Sequence, residues 1–379
     1  MENANDSEIC GDFTIDFTNE ETAKMMSFKQ SEILLSSVGV PIVLIIGVPG
    51  NVAFLFTLYR VRRMQTTTNF YLANLAVADL MYLIIFSAYN TKTFLSTPIA
   101  YSWFAESWLV CLVITLSLDI PYFASNSMIT LVALERFYAI CHPLKNLMAR
   151  SPKRTVSIVV IFWIVSILIA ASISSRLSTH RVACVLWPDD EQYATLPSTV
   201  NFCVAGEPWV KFLTQALYFG FWFLGLATNT FMYYKIVRRL GRRLIPTSSA
   251  QTHHLNAKQV RNQIARMLIV TSVVYFLLQS PRVVIFNLMG LIQSASGVSV
   301  LQPGAVTTLW PIAIFLALLN SALNPIIYNV SSPKYRQAFL QAFTCRMKKK
   351  KEKVSTSTTT RKTDIARSIS NVRLDENQL

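Results

Sequence analysis

The sequence predicts an all-α membrane protein, a bundle of seven transmembrane helices followed by a short amphipathic eighth helix. The first observation is composition, because 52% of the 379 residues are hydrophobic and only 15% are charged. The second is that the apolar residues come in seven long blocks, each of about the 20 residues that a helix needs to cross a bilayer. These blocks are too uniformly apolar for the alternating strands of a membrane β-barrel. We therefore predict helices, which satisfy their backbone hydrogen bonds internally in lipid.

Polar segments separate the seven blocks, and four of the blocks contain no charged residue. In chain order they run 33–59, 70–90, 108–134, 155–175, 212–234, 267–291 and 303–329. A short amphipathic stretch, 333–343, follows the last block and predicts the eighth helix. We therefore divide the chain into an extracellular N-terminal tail (1–30), a seven-helix domain with helix eight (31–344) and a disordered cytoplasmic tail (345–379).

Basic residues mark one side of the predicted membrane. The net charge is +15, and Lys and Arg cluster after the first block, between the third and fourth, between the fifth and sixth, and after the seventh. The N-terminal tail is acidic instead. The positive-inside rule therefore predicts a multi-pass plasma-membrane protein with an extracellular N-terminus. Because the positive charge lies at the membrane ends, we expect it to meet lipid headgroups and an intracellular partner, and not nucleic acid.

Several residues outside the blocks are candidate modification sites. Asn5 begins an Asn-Asp-Ser sequon, which is either glycosylated or unused. Cys345 follows the predicted eighth helix and is either palmitoylated or a plain thiol. The hydroxyl-rich segment 355–360 predicts a kinase target whose phosphates would suit a basic partner. Cys10 and Cys184 could pair with each other on the oxidising side, although the sequence does not settle the connectivity.

Charged residues inside the membrane blocks are few, and each is costly in lipid, so they are candidates for function. They are Asp79, Asp119, Glu135, Arg136 and Arg282. We expect Asp79 to face the bundle interior, with oxygen donors from Asn320, Asn324 and Ser125. A sodium ion prefers such oxygen ligands, whereas the alternative is a hydrogen-bonded Asp79 that only packs helices. No other metal or cofactor is expected.

Motifs in these blocks match a known family in order and in position. The chain resembles the rhodopsin-like, or class A, G-protein-coupled receptors from the first block to Cys345. The matching segments are Gly50-Asn51-Val52, Leu72-Ala73-Asn74-Leu75-Ala76-Val77-Ala78-Asp79, Cys111, Glu135-Arg136-Phe137, Trp163 and Asn324-Pro325-Ile326-Ile327-Tyr328. One such motif alone would be a weak signal, but six at the correct positions make a strong resemblance.

The resemblance implies roles for individual residues. Arg136 would contact a heterotrimeric G protein in the active state, and Glu135 would hold it in the inactive state. Tyr233 and Tyr328, with Asn324-Pro325, would rearrange on activation. The sodium-linked polar cluster would consist of Asp79, Asn51, Ser125, Asn320 and Asn324. Cys111 would form a disulfide with Cys203, which Pro208-Trp209 follow at the spacing of peptide receptors. A receptor kinase and an arrestin would act on the phosphorylated tail.

The chain also departs from the family pattern. Gln279 stands where the sixth helix normally carries a tryptophan, and Gly225 stands where the fifth helix carries a proline. Asn126 and Tyr275 make the usually apolar connector partly polar, and Pro121 lies within the third helix. These departures put the usual activation trigger in doubt, whereas they leave the fold unchanged.

The ligand indicated by the resemblance is a peptide. Amine receptors carry an aspartate where this chain has Leu118, and Asp119 points elsewhere because one residue turns a helix by about 100°. The long loop 178–211 suits a β-hairpin lid over an open vestibule, and the motifs are closest in style to the neuropeptide receptors for thyrotropin-releasing hormone, neuromedin U and ghrelin. Candidate pocket residues are Asp119, Arg282, Gln279, Asn287, Tyr218 and Trp108. Arg282 is expected to contact an acidic or amidated peptide end.

Two other classes of function are less consistent with the sequence. A class A receptor for a non-peptide small molecule is the first alternative. A seven-helix transporter would show internal repeats or rows of pore-lining charge, and neither is present. An enzyme is not expected, since the four histidines all lie in loops and no catalytic cluster is found.

Overall fold

Seven long apolar helices dominate the computed structural model, which describes residues 14–96, 99, 107–143, 151–177, 179–204, 207–241, 251–297 and 303–344. All seven are long and apolar enough to cross a membrane. Each contains most or all of one predicted block, so the predicted fold class is confirmed. The helices extend past several blocks because charged residues at a membrane surface continue a helix without entering the hydrocarbon core.

The spanning helices are labelled α1 to α7, and the helix after them α8. They are α1 (Gln30–Arg60), α2 (Thr67–Ser96), α3 (Trp108–Cys141), α4 (Pro152–Leu177), α5 (Pro208–Gly241), α6 (Gln251–Arg282, continued by Val283–Leu288 and Met289–Ser296), α7 (Pro303–Ser331) and α8 (Pro333–Phe343). Two of these helices contain a π-helical turn, Leu35–Gly39 in α1 and Val283–Leu288 in α6. The bounds of α8 are those predicted from its amphipathic pattern.

Side chains of the bundle are distributed as expected for a protein in lipid. The interior contains large buried residues such as Phe123, Met128 and Tyr275. The outer face is also apolar, since Ile45 is 70% exposed and Leu224 is 66% exposed. A water-soluble surface rarely exposes so many large apolar side chains in one band, so the outer face is suited to hydrocarbon.

A small sheet covers the end of the bundle where α3 begins, and we call this the sheet end. Its strands are β1 (Thr14–Asp16), β2 (Thr179–Leu186) and β3 (Thr199–Val204). β2 and β3 form the antiparallel hairpin that the sequence predicted for the loop. β1 was not predicted: it pairs in parallel with β2, so part of the predicted N-terminal tail belongs to the folded structure.

The N-terminal segment continues from β1 through a short helix, Glu20–Met26, to α1. Phe17 packs in a small core with Val185, Tyr193 and Val200 of the loop. The Asn19 side chain caps the short helix by accepting a hydrogen bond from the backbone N–H of Glu21 at 2.9 Å, as expected for an asparagine at this position. The segment therefore lies on the sheet instead of extending from it.

Candidate functional site

A disulfide fixes the hairpin over the start of α3. Cys111 in the first turn of α3 bonds to Cys203 in β3, with their Cα atoms 5.7 Å apart. The pairing implied by the family resemblance is therefore present. Cys184 is disulfide-bonded as well, while its suggested partner Cys10 lies outside the described residues.

Beneath the sheet lies a cavity of about 500 Å³, bounded by the N-terminal segment, α1, α2, α3, α6 and α7. Its size falls within the usual range for small-ligand pockets. Aromatic rings form much of its wall, among them Phe28, Phe86, Phe94, Phe286, Trp310 and Phe315. A larger groove, about 880 Å³, lies between α1 and α2. It is lined by the strongly exposed Ile45 and Leu95, so it opens on the outer face and is not the candidate site.

Asp119 and Arg282 both line the cavity, and the side chains of two tyrosines and one serine contact them there. The Asp119 carboxylate accepts hydrogen bonds from the Tyr218 hydroxyl and from Ser174 Oγ, the latter at 3.3 Å. The Arg282 Cζ atom lies 4.9 Å from the ring centroid of Tyr122 and 5.5 Å from that of Tyr218. Such cation–π contacts stabilise a guanidinium away from water. The cluster joins α3, α4, α5 and α6.

The six candidate pocket residues do not all reach the cavity. The structure brings Asp119, Tyr218 and Arg282 together. Trp108 is 61% exposed at the start of α3 and is not among the described residues that line the cavity. Gln279 is buried deeper in α6, and neither it nor Asn287 is among the described residues that line the cavity. Sequence reasoning missed Tyr122 and Ser174, since neither is charged and Ser174 is one of three serines within residues 172–175.

A polar cluster surrounds Asp79 in the middle of the bundle. Asn324 Nδ2 donates to Asp79 Oδ2 at 2.7 Å, and Asn51 Nδ2 donates to the backbone oxygens of Gly47 and Ser321, both at 2.9 Å. Ser125 and Asn320 are buried as well.

Two oxygens of this cluster, Asp79 Oδ1 and Asn51 Oδ1, accept no hydrogen bond from any described residue. A carboxylate oxygen and an amide oxygen are hard ligands, so this donor set fits a small monovalent cation. Among the described residues, no group of three His, Cys, Asp or Glu side chains could hold a transition metal. The donor set of the cluster therefore fits sodium.

Arg136 is held at the opposite end of α3, near α8. Its Nε lies 3.0 Å from Glu135 Oε2, and its Nη2 donates to Thr68 Oγ1. Thr68 in turn donates to Glu135 Oε2 at 2.7 Å. The three residues form a closed triangle between α2 and α3. Sequence reasoning missed Thr68, because only the rotation of α2 in the bundle places this side chain beside Arg136.

Two tyrosines near Arg136 connect other helices. The Tyr233 hydroxyl of α5 donates to the Leu268 backbone oxygen of α6 at 3.2 Å and lies 3.0 Å from Ser272 Oγ. The Tyr328 ring of α7 packs on Phe54 with centroids 5.0 Å apart. No described residue bonds to the Tyr328 hydroxyl. Pro325 lies one turn before Tyr328 and interrupts the hydrogen-bond ladder of α7.

Between the cavity and Arg136, α3 and α5 approach closely around Gly225. Asn126 Nδ2 donates to the Phe221 backbone oxygen at 3.0 Å, and Asn229 Nδ2 donates to Thr130 Oγ1 at 3.0 Å. A Cβ atom at Gly225 would lie 2.5 Å from Asn126 Oδ1. The glycine that replaces the usual proline therefore gives Asn126 the space to bond to α5.

A Gly225→Ala variant should lose the hydrogen bond between Asn126 and Phe221, which contributes about 1 kcal/mol. In an Asn126→Ala background the same change should be neutral or stabilising, because no amide is left to displace. Thermal unfolding of the purified single and double variants measures this coupling. Gly220→Ala is the matched control, since nothing lies within 4 Å of a Cβ there. Equal effects of Gly225→Ala in both backgrounds would contradict the explanation.

Comparisons with known proteins agree with this arrangement. The family described as 7 transmembrane receptor (rhodopsin family) matches residues 50–328. Neuromedin-U receptor 2 of Mus musculus is 27% identical over 332 residues, which cover 85% of this chain and 78% of the relative. The thyrotropin-releasing hormone receptor of Gallus gallus is 28% identical over 336 residues, covering 81% of this chain and 78% of the relative. The predicted resemblance is confirmed, and the chain belongs to the rhodopsin family of seven-transmembrane receptors.

Proposed function

We propose that this receptor is activated by an extracellular peptide and signals to heterotrimeric G proteins. One observation carries the proposal: α3 holds Asp119 in the cavity wall and the Arg136 triangle near its other end, about 25 Å apart along one continuous helix. A ligand that moves α3 or its partners at the cavity can therefore release Arg136. Membership of a receptor family also means that the chain is not an enzyme, as the sequence predicted.

The peptide nature of the ligand is supported by the relatives and by the cavity. The relatives named above are receptors for thyrotropin-releasing hormone and neuromedin U. The position that amine receptors reserve for an aspartate holds Leu118, which lines the cavity as an apolar contact. Asp119 is already engaged by Tyr218 and Ser174, so it is not arranged as a free counter-ion for an amine.

We place the Arg136 end in the cytoplasm and the sheet end outside the cell. Basic residues after α1, after α5 and in α8 support this orientation under the positive-inside rule. Burial, together with the positive charges of Arg136 and Arg63, lowers the pKa of Lys334 in α8, so this end of the bundle is rich in positive charge. Such a surface suits anionic lipid headgroups and an acidic region of a G protein.

The remaining proposed partners act on residues outside the described ones. Phosphorylation of the hydroxyl-rich segment 355–360 by a receptor kinase would create the negative charge that an arrestin binds. Cys345 would anchor the tail by palmitoylation, and Asn5 would carry a glycan. Each of these proposals rests on the sequence alone.

We propose that sodium binds at Asp79 as an allosteric ion, supported by the two unpartnered oxygens there. Asp79→Asn should abolish any difference between agonist binding in sodium and in a large organic cation, because a neutral amide holds a cation poorly. Radioligand competition in the two salts measures it, and Ser166→Ala is the control, since the Ser166 hydroxyl donates to the Phe162 backbone oxygen within α4. If wild type already binds agonist equally in both salts, the sodium proposal is wrong.

The proposed function is tested by expressing the receptor with a promiscuous G protein and applying a neuropeptide panel that includes thyrotropin-releasing hormone and neuromedin U. A calcium response that is absent from untransfected cells supports the proposal, and Arg136→Ala at equal surface expression should remove that response. A response to non-peptide metabolites alone would select the small-molecule alternative. Solute uptake with no G-protein response would select the transporter.

A further inference from the structure

The cavity occupies only one half of the bundle. Its described lining comes from the N-terminal segment, α1, α2, α3, α6 and α7, and includes no described residue of α4 or α5. On the α5 side it is closed by the stacked side chains of Arg282, Tyr122 and Tyr218. Tyr122 and Tyr218 also pack on each other, with ring centroids 5.1 Å apart. A ligand in this cavity therefore meets α2 and α7 on one side and Arg282 on the other.

The chain shapes the α1 wall of this half. The π-helical turn Leu35–Gly39 widens α1 where Leu35 and Ser36 line the cavity. π-helical turns of this kind are frequent at functional sites. Phe28, which precedes α1, also lines the cavity and packs edge-on against Phe94 of α2 with centroids 5.3 Å apart. The N-terminal segment is thus a wall of the site and not only a cover.

The unsatisfied polar atoms in the wall can all donate a hydrogen bond. Arg282 Nη1, Asn90 Nδ2 and Thr93 Oγ1 belong to lining residues, are buried, and have no hydrogen-bond partner among the described residues. The Arg282 and Asn90 nitrogens can only donate, whereas the Thr93 hydroxyl can also accept. A buried donor without a partner is unfavourable, so an acceptor group placed between Arg282 and Asn90 restores the missing hydrogen bonds. The two carboxylates that line the cavity compete little for these donors, because each already accepts a hydrogen bond. Asp119 accepts from the Tyr218 hydroxyl, and Glu32 accepts from the backbone N–H of Lys29 at 2.9 Å.

We infer that the ligand presents an acceptor group, a carboxylate or a carboxamide beside an aromatic or apolar side chain, which Asn90 of α2 and Arg282 of α6 hold between them. This inference rests on the proposed function, because it names the part of the peptide that enters the cavity. Asn90 is then a specificity-determining residue, and the aromatic wall takes the neighbouring side chain.

Binding at Arg282 has a consequence for α3 and α5. The guanidinium stacks on Tyr122 of α3 and Tyr218 of α5. An anionic group approaching from the α2 side competes for the same guanidinium and draws it away from those rings. The Tyr122 hydroxyl donates to the Tyr218 backbone oxygen at 3.5 Å, and this hydrogen bond also links α3 to α5. The ligand would thereby loosen the wall directly above Asn126 and Gly225.

Three small probes test the inference on the full-length receptor in lipid nanodiscs: N-acetylphenylalanine, its primary amide and phenethylamine. Ligand-observed NMR gives their dissociation constants. The carboxylate and the amide should bind, and the amine should bind about tenfold or more weakly, since it offers no acceptor to two donors. Equal or tighter binding of phenethylamine would overturn the inference, and so would binding of none of the three.

Variants locate the site. Asn90→Leu and Arg282→Gln should each weaken binding of N-acetylphenylalanine by about tenfold. Gln215→Leu on α5 is the matched control and should leave binding unchanged, because Gln215 bonds to Ser294 and is not among the described lining residues. If Arg282→Gln fails to fold, Asn90→Leu alone decides. An unchanged affinity in Asn90→Leu, or a larger loss in Gln215→Leu, places the probe elsewhere and overturns the assignment.

The outcome is separable from that of the proposed function. The probe measurements need no G protein, whereas the proposed function is tested by calcium responses that Arg136→Ala removes. A receptor that signals to a peptide yet prefers phenethylamine would contradict only the inference about Asn90 and Arg282.

Discussion

Cys111→Ser is expected to remove most of the receptor from the cell surface. The disulfide joins residues 92 positions apart, and closing so long a loop restricts the unfolded chain strongly. Loss of such a bond typically lowers the free energy of unfolding by about 2–5 kcal/mol, which is a large share of the stability of a folded domain. Surface immunolabelling and thermal unfolding of the purified protein measure the effect.

Two further variants distinguish loss of the bond from loss of a cysteine. Cys203→Ser should behave like Cys111→Ser, and the double variant should be no worse than either, because one bond is removed in all three. Cys141→Ser, at the other end of α3, controls for the removal of a sulfur atom. A Cys111→Ser protein with normal surface density and unfolding temperature would show that the disulfide contributes nothing to folding.

Gly47→Leu is expected to disrupt the contact between α1, α2 and α7. A Cβ atom at Gly47 would lie 2.8 Å from Leu83 Cδ1, 2.9 Å from Ala322 Cβ and 3.2 Å from Ala322 Cα. The last of these belongs to the backbone, so relief requires a helix to move. Overpacking of this kind lowers the free energy of unfolding by about 1–3 kcal/mol or more. Displacing α7 also disturbs the bond between Asn324 and Asp79.

Gly220→Leu is the matched control for Gly47→Leu. Both glycines lie inside spanning helices, but nothing lies within 4 Å of a Cβ at Gly220. Thermal unfolding and agonist-stimulated calcium release of the two variants separate a general effect of leucine in a helix from the close approach at Gly47. Equal unfolding temperatures would mean that α1 and α7 adjust freely to the added side chain.

The helices were predictable because each one satisfies its own backbone and must be apolar to cross lipid. The block 155–175, for example, needs no neighbour to identify it. β1 was not predictable in the same way, since Thr14–Asp16 is a strand only because the edge of β2 lies beside it. The π-helical turn of α1 also depends on packing and left no pattern in the sequence.

The site was predictable where a charge in an apolar block marks a residue. Asp79, Asp119, Arg136 and Arg282 were identified for that reason, and the structure gives each named contacts, with Asp79 and Asp119 buried and the two arginines partly buried. Thr68 and Asn90 are ordinary polar residues of α2, and only the rotation of that helix places them beside Arg136 and in the cavity. Rotation depends on the packing of all seven helices, which one sequence does not specify.

The parallel pairing of β1 with β2 also makes the receptor a path for mechanical load. A pull on the N-terminal segment is borne by the hydrogen bonds between β1 and β2, then by the hairpin, and reaches the end of α3 through the bond between Cys203 and Cys111. The first turn of α3, which leads to Asp119 and on to Arg136, is therefore linked to the outermost strand through two sets of strand hydrogen bonds and one disulfide. Tension applied there would be transmitted to the helix that carries both ends of the signal.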